Sequence, residues 1–387
     1  MNDLVFFHST RRVVFGANAL DKLAAIAKEF GCTRPVLVVD GFFLGGEIVA
    51  RATAALQAGA GSGPRAIGVP THEPTSDTIA AVAAELAEAD PDMIVAIGGG
   101  SAMDTAKVAR MLLSNPGPVE GVAGFGKTLR AHASLFVCVP TTAGTGSEVS
   151  ESAIASKSGS DVKLIFRSPE MTAAIALLDP ALSASCPPVV TAQSGYDAVT
   201  HAVEAYVSNA SSVMTDPYAL EAMRLLAKWL PVAYREPGNL EARGACLIGS
   251  CQAAIAFNSA NLGLAHAFAA PLGALHHVAH GLGNALALPI VTAFNEPKMG
   301  AKAQAIAAAF DAPSAADAMS RLRLAVGLDL SLDRYVPDDA AREKVAQAAM
   351  RSGQVRMNPR LATIEDARKM LEAMRAPTGG ARPIFAE

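Results

Sequence analysis

A chain of 387 residues, 51% hydrophobic and 18% charged, is too long for one ordinary core and suits two domains. A formal net charge of −4 with no Lys/Arg block argues against a nucleic-acid or anionic-membrane partner. Five scattered cysteines (Cys32, Cys138, Cys186, Cys246, Cys251) without CxxC spacing argue against a disulfide framework or zinc–thiolate site and suit a reducing cytoplasm.

The opening MNDLVFFHST lacks the basic region and apolar run of a signal peptide. Pro35–Asp40, Met93–Gly98 and Leu135–Val139 are near-continuous apolar runs, as in strands covered on both faces. Helical patterns at Ser76–Ala89 and Ala102–Leu113 alternate with them, which predicts a parallel sheet in an α/β layer. Three loci there suit a nucleotide. Gly98-Gly99-Gly100-Ser101 follows a strand and opens a helix, where uncovered amides favour a pyrophosphate; a turn needing glycine for geometry alone is the competing reading. Thr141, Thr142 and the glycines up to Glu148 follow the next strand, where ligands of open sheets bind, although a solvated loop has the same composition. Asp40 ends its strand and can accept from a ribose diol while repelling a 2′-phosphate, as many strand-end aspartates with no ligand could.

Pro180, Pro187 and Pro188 punctuate a boundary between a domain at 1–184 and another at 185–387. Beyond it come Ala-rich helical patterns at Thr191–Ser208, Tyr218–Leu230, Leu240–Ala256, Ala301–Ala309, Ala340–Arg351 and Ile364–Ala373. Asp197 and His201 stand four apart, so a helix sets both on one face, roughly 6 Å apart at Cβ. His266 and His280 flank a break expected at Pro271/Gly273 and come from separate segments. Any one of these is more often a satisfied core or surface residue. Five of the eight histidines, however, fall between 201 and 280 in nearly uncharged surroundings. Burying them unpaired would cost about 1–3 kcal/mol each, a cost that a shared ion removes. Carboxylate with imidazole suits Fe(II) or Zn(II). The apolar stretch Ala253–Phe294 carries too many histidines, prolines and glycines for a membrane span.

Together GGGSAMDTAK (98–107), PTTAGTGSEVS (140–150), LLDPAL (177–182), GYDAVTHAVEAYVS (195–208) and the segment 262–289 resemble the iron-containing (group III) alcohol dehydrogenase family. The resemblance implies an N-terminal dinucleotide-binding α/β domain with a parallel sheet, an all-α C-terminal domain (a dehydroquinate synthase-like architecture), and a cleft holding metal and nicotinamide. It carries the metal ligands onto Asp197, His201, His266 and His280. NAD contacts fall on Asp40, Gly99, Gly100, Ser101, Ala102, Met103, Asp104, Thr141, Thr142, Ser150, Lys163 and Leu182. Ser152, Phe257 and Leu262 fall where the family lines its substrate pocket. The expected protein is a cytoplasmic homodimer or larger homo-oligomer, acting on a small alcohol or aldehyde with NAD in preference to NADP.

Two departures stand out. Ala270 occupies a position where many members carry a histidine, for which His276 or His277 is a substitute to consider, and Glu73 stands where asparagine is common. A dehydroquinate synthase-type lyase shares the scaffold, but it needs basic residues for its acidic substrate, and segment 250–285 has no Lys or Arg. Glycerol dehydrogenases differ in fine pattern, and maleylacetate reductases lack the ligand set. A non-catalytic NAD-binding protein is the alternative from another class.

Overall fold

The computed structural model describes residues 5–160 and 162–376. They fall into two compact units, one spanning residues 8–185 and the other residues 186–376 together with 5–7.

The first unit contains strands β1 (Arg12–Phe15), β2 (Pro35–Asp40), β3 (Arg65–Val69), β4 (Met93–Gly98), β5 (Leu135–Pro140), β6 (Ser152–Ser156), β7 (Lys163–Arg167) and β8 (Ile175–Leu178). Its longer helices are α1 (Leu23–Glu29), α2 (Glu47–Ala60), α3 (Ser76–Ala89) and α4 (Gly100–Ser114). Six strands form one sheet in the order β1-β8-β5-β4-β2-β3, every pair parallel, while β6 and β7 form a separate antiparallel hairpin. Alternation explains why β2, β4 and β5 read as unbroken apolar runs. Val36, Val38, Ile94 and Ala96 pack with Ile79 of α3 and Met103 of α4. Their neighbours Leu37, Val39, Val95 and Ile97 pack on the opposite face with Leu23 of α1 and Leu56 of α2. Each buried Val, Leu or Ile contributes about 1.5–3 kcal/mol, so both sheet faces serve as core. The chain leaves β2 for β3 on one side and returns to β4 on the other. Asp40 and Gly98, at the ends of β2 and β4, therefore sit at the topological switch point, where open α/β sheets bind ligands.

Among the described residues the second unit is helical: α5 (Pro188–Val207), α6 (Asp216–Arg235), α7 (Leu240–Ala260), α8 (Leu264–His276), α9 (His280–Met299), α10 (Ala301–Ala309), α11 (Ala315–Ala325), α12 (Asp339–Met350) and α13 (Ile364–Ala373). Caps define several starts: Asn239 accepts from Ala242 N at 3.1 Å, and Thr363 forms a capping box with Asp366.

The expected break at Pro271/Gly273 is corrected. Pro271 lies buried inside α8, and the chain turns at His277, whose φ is +55°. Pro289 and Pro297 likewise lie inside α9. Packing of these helices outweighs the local cost of proline, as tertiary context often does.

A candidate metal centre and two coenzyme loops

Asp197 and His201 project from one face of α5, with His201 Nε2 3.8 Å from Asp197 Oδ1. His266, in the first turn of α8, brings its Nε2 to 3.6 Å from the same oxygen. His280, the first residue of α9, does so at 3.6 Å as well. Close approach of α9 to α5 depends on Gly281: a Cβ there would lie 2.2 Å from the carbonyl oxygen of Gln193. The first three side chains are buried and their donor atoms all lie within 4.8 Å of one another, whereas the His280 side chain is 46% exposed. The rings of His201 and His266 stack at 4.8 Å, and Phe257 of α7 lies against His201 at 4.6 Å.

The donor set fits a divalent ion. Bonds of about 2.1 Å in a four-coordinate centre put neighbouring donors about 3.4 Å apart, close to the separations here. Glu204, seven residues after Asp197 on α5, takes His266 Nδ1 at 2.6 Å, which leaves Nε2 facing Asp197. The same carboxylate accepts from the amides of Gly263 (2.9 Å) and Ala265 (2.6 Å), so it also seats the start of α8. An acid behind a ligating imidazole is the usual means of fixing its tautomer and raising its basicity. Burial alone would raise the pKa of Asp197, yet the imidazoles of His201, His280 and His266 hold it well below the ordinary carboxylate value. Burial lowers His201 to about 4. Burial also works against charge on His266, but hydrogen bonds to Asp197 and Glu204 prevail and raise it to about 9.

In the sheet unit the glycine loop and the threonine loop are joined. Thr141 N donates to Gly98 O at 3.0 Å, and Thr145 packs on Gly100. Gly98 has φ +152°, and a Cβ would come within 2.8 Å of Asp40 Cβ and 2.7 Å of Ala102 Cβ. Gly99 caps α4, so the amides of Gly100, Ser101 and Ala102 lack intrahelical acceptors and their dipole favours an anion. The side chains of Ala102, Met103 and Leu182 are packed in the core, which leaves only their backbones for a ligand. Asp40 accepts from Phe42 N at 3.0 Å, and burial raises its pKa.

Other expected coenzyme residues are occupied within the unit. Asp104 accepts from Ser147 Oγ (2.6 Å) and Ile154 N (2.9 Å). Ser150 Oγ and Ser152 O accept from Lys107 Nζ at 3.1 and 2.8 Å. Lys163 is ion-paired with Glu73, and Ser156 Oγ donates to the same Glu73 oxygen at 2.6 Å. His276 ends α8, and its charged neighbours are His277 and Lys344 rather than the Asp197 group; His277 is exposed. Leu262 is half-buried after Asn261, whose φ is +61°.

Four further residues have no role assigned by the sequence reading. Glu204 had a signal, since positions i, i+4 and i+7 share a helix face. Asn284, one turn after His280, had the same signal. Lys107 and Glu148 had none: their burial only appears in three dimensions. Lys107 is fully buried, which lowers its pKa, and burial raises Glu148 to about 7.

A parallel-sheet unit with glycine and threonine loops at its switch point, together with a helical unit bearing a buried carboxylate–imidazole cluster, defines a metal-using dinucleotide enzyme. Comparison with known proteins narrows that class. Residues 10–180 match the model described as iron-containing alcohol dehydrogenase, and residues 191–375 match the C-terminal model of the Fe-containing alcohol dehydrogenase family. The chain belongs to the iron-containing alcohol dehydrogenase family. It is thus an alcohol dehydrogenase of that type, interconverting an alcohol with an aldehyde or ketone by hydride exchange with a nicotinamide coenzyme.

Among curated relatives, the probable alcohol dehydrogenase EutG of Escherichia coli (strain K12) is 36% identical over 301 residues, 76% of each chain. The NAD-dependent methanol dehydrogenase of Bacillus methanolicus is 30% identical over 292 residues, 73% of this chain and 76% of the relative. Among solved structures, a 1,3-propanediol oxidoreductase superposes with a TM-score of 0.89 at 28% identity, covering 96% of this chain and 100% of the other. Sulfoacetaldehyde reductase from Bifidobacterium kashiwanohense in complex with NAD+ superposes with a TM-score of 0.90 at 25% identity, covering 97% and 100%. No helix among the described residues is long and apolar enough to cross a membrane.

Proposed function

We propose that Asp197, His201, His266 and His280 hold one divalent ion, iron(II) or zinc(II), and that the Gly99–Asp104 and Thr141–Thr142 loops with Asp40 carry NAD in preference to NADP. The carrying observation is the convergence of three imidazole Nε2 atoms on a single Asp197 oxygen at 3.6–3.8 Å. When bound, the ion supplies Lewis acidity at the substrate oxygen and the nicotinamide supplies or accepts the hydride.

The chain's own residues hold and shield. Glu204 keeps the Nδ1 proton of His266 engaged, so the Nε2 lone pair is the one presented. Phe257 covers one face of His201 and screens it from water. Asp40 meets the ribose diol, and the first amides of α4 meet the pyrophosphate. Ala270 is exposed and brings only a methyl where many members place an imidazole, so this chain offers no side-chain proton relay at that position.

The substrate is a short, uncharged alcohol or aldehyde. Segment 250–285 bears no Lys or Arg to hold an anion, and relatives named for methanol, 1-propanol and 1,3-propanediol favour the same size class. Among the described residues all five cysteines are free thiols, in keeping with a cytoplasmic enzyme, and we assign it a homo-oligomeric state testable by light scattering.

The test is Asp197→Ala, assayed by elemental analysis, by NADH binding, and by 340 nm turnover of short aldehydes. Metal content and turnover should fall to background while NADH binding persists. Full turnover by a metal-free Asp197→Ala variant would overturn the reading.

A further inference from the structure

Asn284 lies one helical turn beyond His280 on α9 and is completely buried. Its Nδ2 is 2.7 Å from Asp197 Oδ1, 3.2 Å from His266 Nε2 and 3.4 Å from His280 Nε2. One amide nitrogen thus faces donor atoms from three of the four side chains assigned to the ion, and these come from three different helices. Its other end is the opposite: Asn284 Oδ1 is buried with no hydrogen-bond partner among the described residues.

We propose that Asn284 is a positioning residue of the metal centre, whose amide holds the Asp197 carboxylate in line with the imidazoles of His266 and His280.

An amide kept only for the stability of α9 would be expected to satisfy both of its ends. Leaving a buried carbonyl unpaired is destabilising, and a shape-matched apolar side chain would avoid that loss. Retention of a half-satisfied amide agrees with a task at the nitrogen. That nitrogen is suited to it. It carries two hydrogens, makes a charge-assisted bond to the carboxylate, and has no lone pair of its own with which to compete for a cation. Bonded to Asp197 Oδ1, it limits rotation of the carboxylate, so the oxygen facing the three imidazoles is fixed before an ion arrives. A loose carboxylate would have to be ordered on binding. Partners of this kind typically change metal affinity by about ten- to a hundredfold.

The inference rests on the four-ligand assignment, and the experiment separates the two. Metal-stripped parent, Asn284→Ala and Asn284→Leu are titrated with Co(II) against a chelator of known affinity, and the visible d–d absorption of each complex is recorded. Thermal midpoints of the metal-free forms are measured alongside. We expect Co(II) dissociation constants at least about tenfold higher in both variants, with a displaced d–d band, while the metal-free Leu variant melts at or above the parent temperature. A merely structural amide would lower the midpoint and leave affinity and spectrum alone.

Dissociation constants within twofold of the parent and an unchanged band, in either variant that folds, overturn the role of Asn284 and leave the ligand set standing. A parent that takes up no Co(II) overturns both. Should neither variant fold, the side-chain 15N resonance of Asn284 in the parent decides. A shift on adding Zn(II) supports the inference, and an unmoved signal overturns it.

Discussion

Glu204 Oε2 lies 2.6 Å from His266 Nδ1, so α5 supplies both the acid that faces the imidazoles and the acid that braces one of them from behind. Glu204→Gln preserves shape but replaces a charge-assisted bond with a neutral one. Metal affinity is expected to fall about tenfold, within the range for partners behind ligating histidines. Chelator competition on the purified variant measures it, and an unchanged constant would remove Glu204 from the centre.

Gly281→Ala sets helix propensity against contact. Alanine gains roughly 1 kcal/mol over glycine in a helix interior, and less at Gly281, the second residue of α9. Here its Cβ would lie 2.2 Å from the Gln193 carbonyl oxygen, a backbone atom that cannot rotate away. Overpacking of this kind costs about 1–3 kcal/mol or more, so net destabilisation is expected. Denaturant midpoints report it, and metal content should drop too because His280 is the adjacent residue.

Asp40→Gly tests the coenzyme preference. Removing a carboxylate at the end of β2 removes repulsion of a 2′-phosphate and an acceptor for the diol. The ratio of kcat/KM with NAD to that with NADP should fall by about tenfold or more, equivalent to ~1.4 kcal/mol. A ratio that does not move would place the ribose elsewhere.

Glu148→Gln addresses pH. Burial raises the folded-state pKa of Glu148 to about 7 from the ordinary glutamate value near 4.5, so the native state binds the proton more tightly than the unfolded state does. By linkage its contribution is present below the unfolded pKa, declines as pH rises, and is lost above about 7. Relative to the glutamine variant, the parent should therefore lose stability between about pH 4.5 and 7 and run parallel above that. Urea midpoints at half-unit pH intervals would show a constant difference if the carboxyl were solvated.

Several elements are legible in the sequence itself. Strands β2 and β4 and helices α3, α10 and α13 start and stop where the apolar pattern predicts, because sheet faces and caps are local signals. The pairing of Asp197 with His201 was legible for the same reason. β1, β3 and β8 were not read: they have four or five residues each, and β3 carries exposed positions that blur the pattern. The β6–β7 hairpin does alternate buried and exposed residues, but its strands are short and rich in serine or charge. α8 and α9 were obscured by their prolines. Convergence of His266 and His280 on Asp197 is suggested in the sequence only by the crowding of histidines between 201 and 280 and by family resemblance, since no local rule links residues so far apart. Asn284 and Lys107 matter through what surrounds them, which a string of letters does not contain.

Asp197, His201 and Glu204 ride on a single rod, α5, at intervals of four and three residues. Lengthening that rod by one residue anywhere from 198 to 200 would swing Asp197 about 100° away from the other two, since each residue advances the helix by that angle. Point changes elsewhere on α5 leave the alignment intact. The centre thus tolerates substitution along this helix far better than insertion or deletion, and natural length variation should be confined to the loops at its ends.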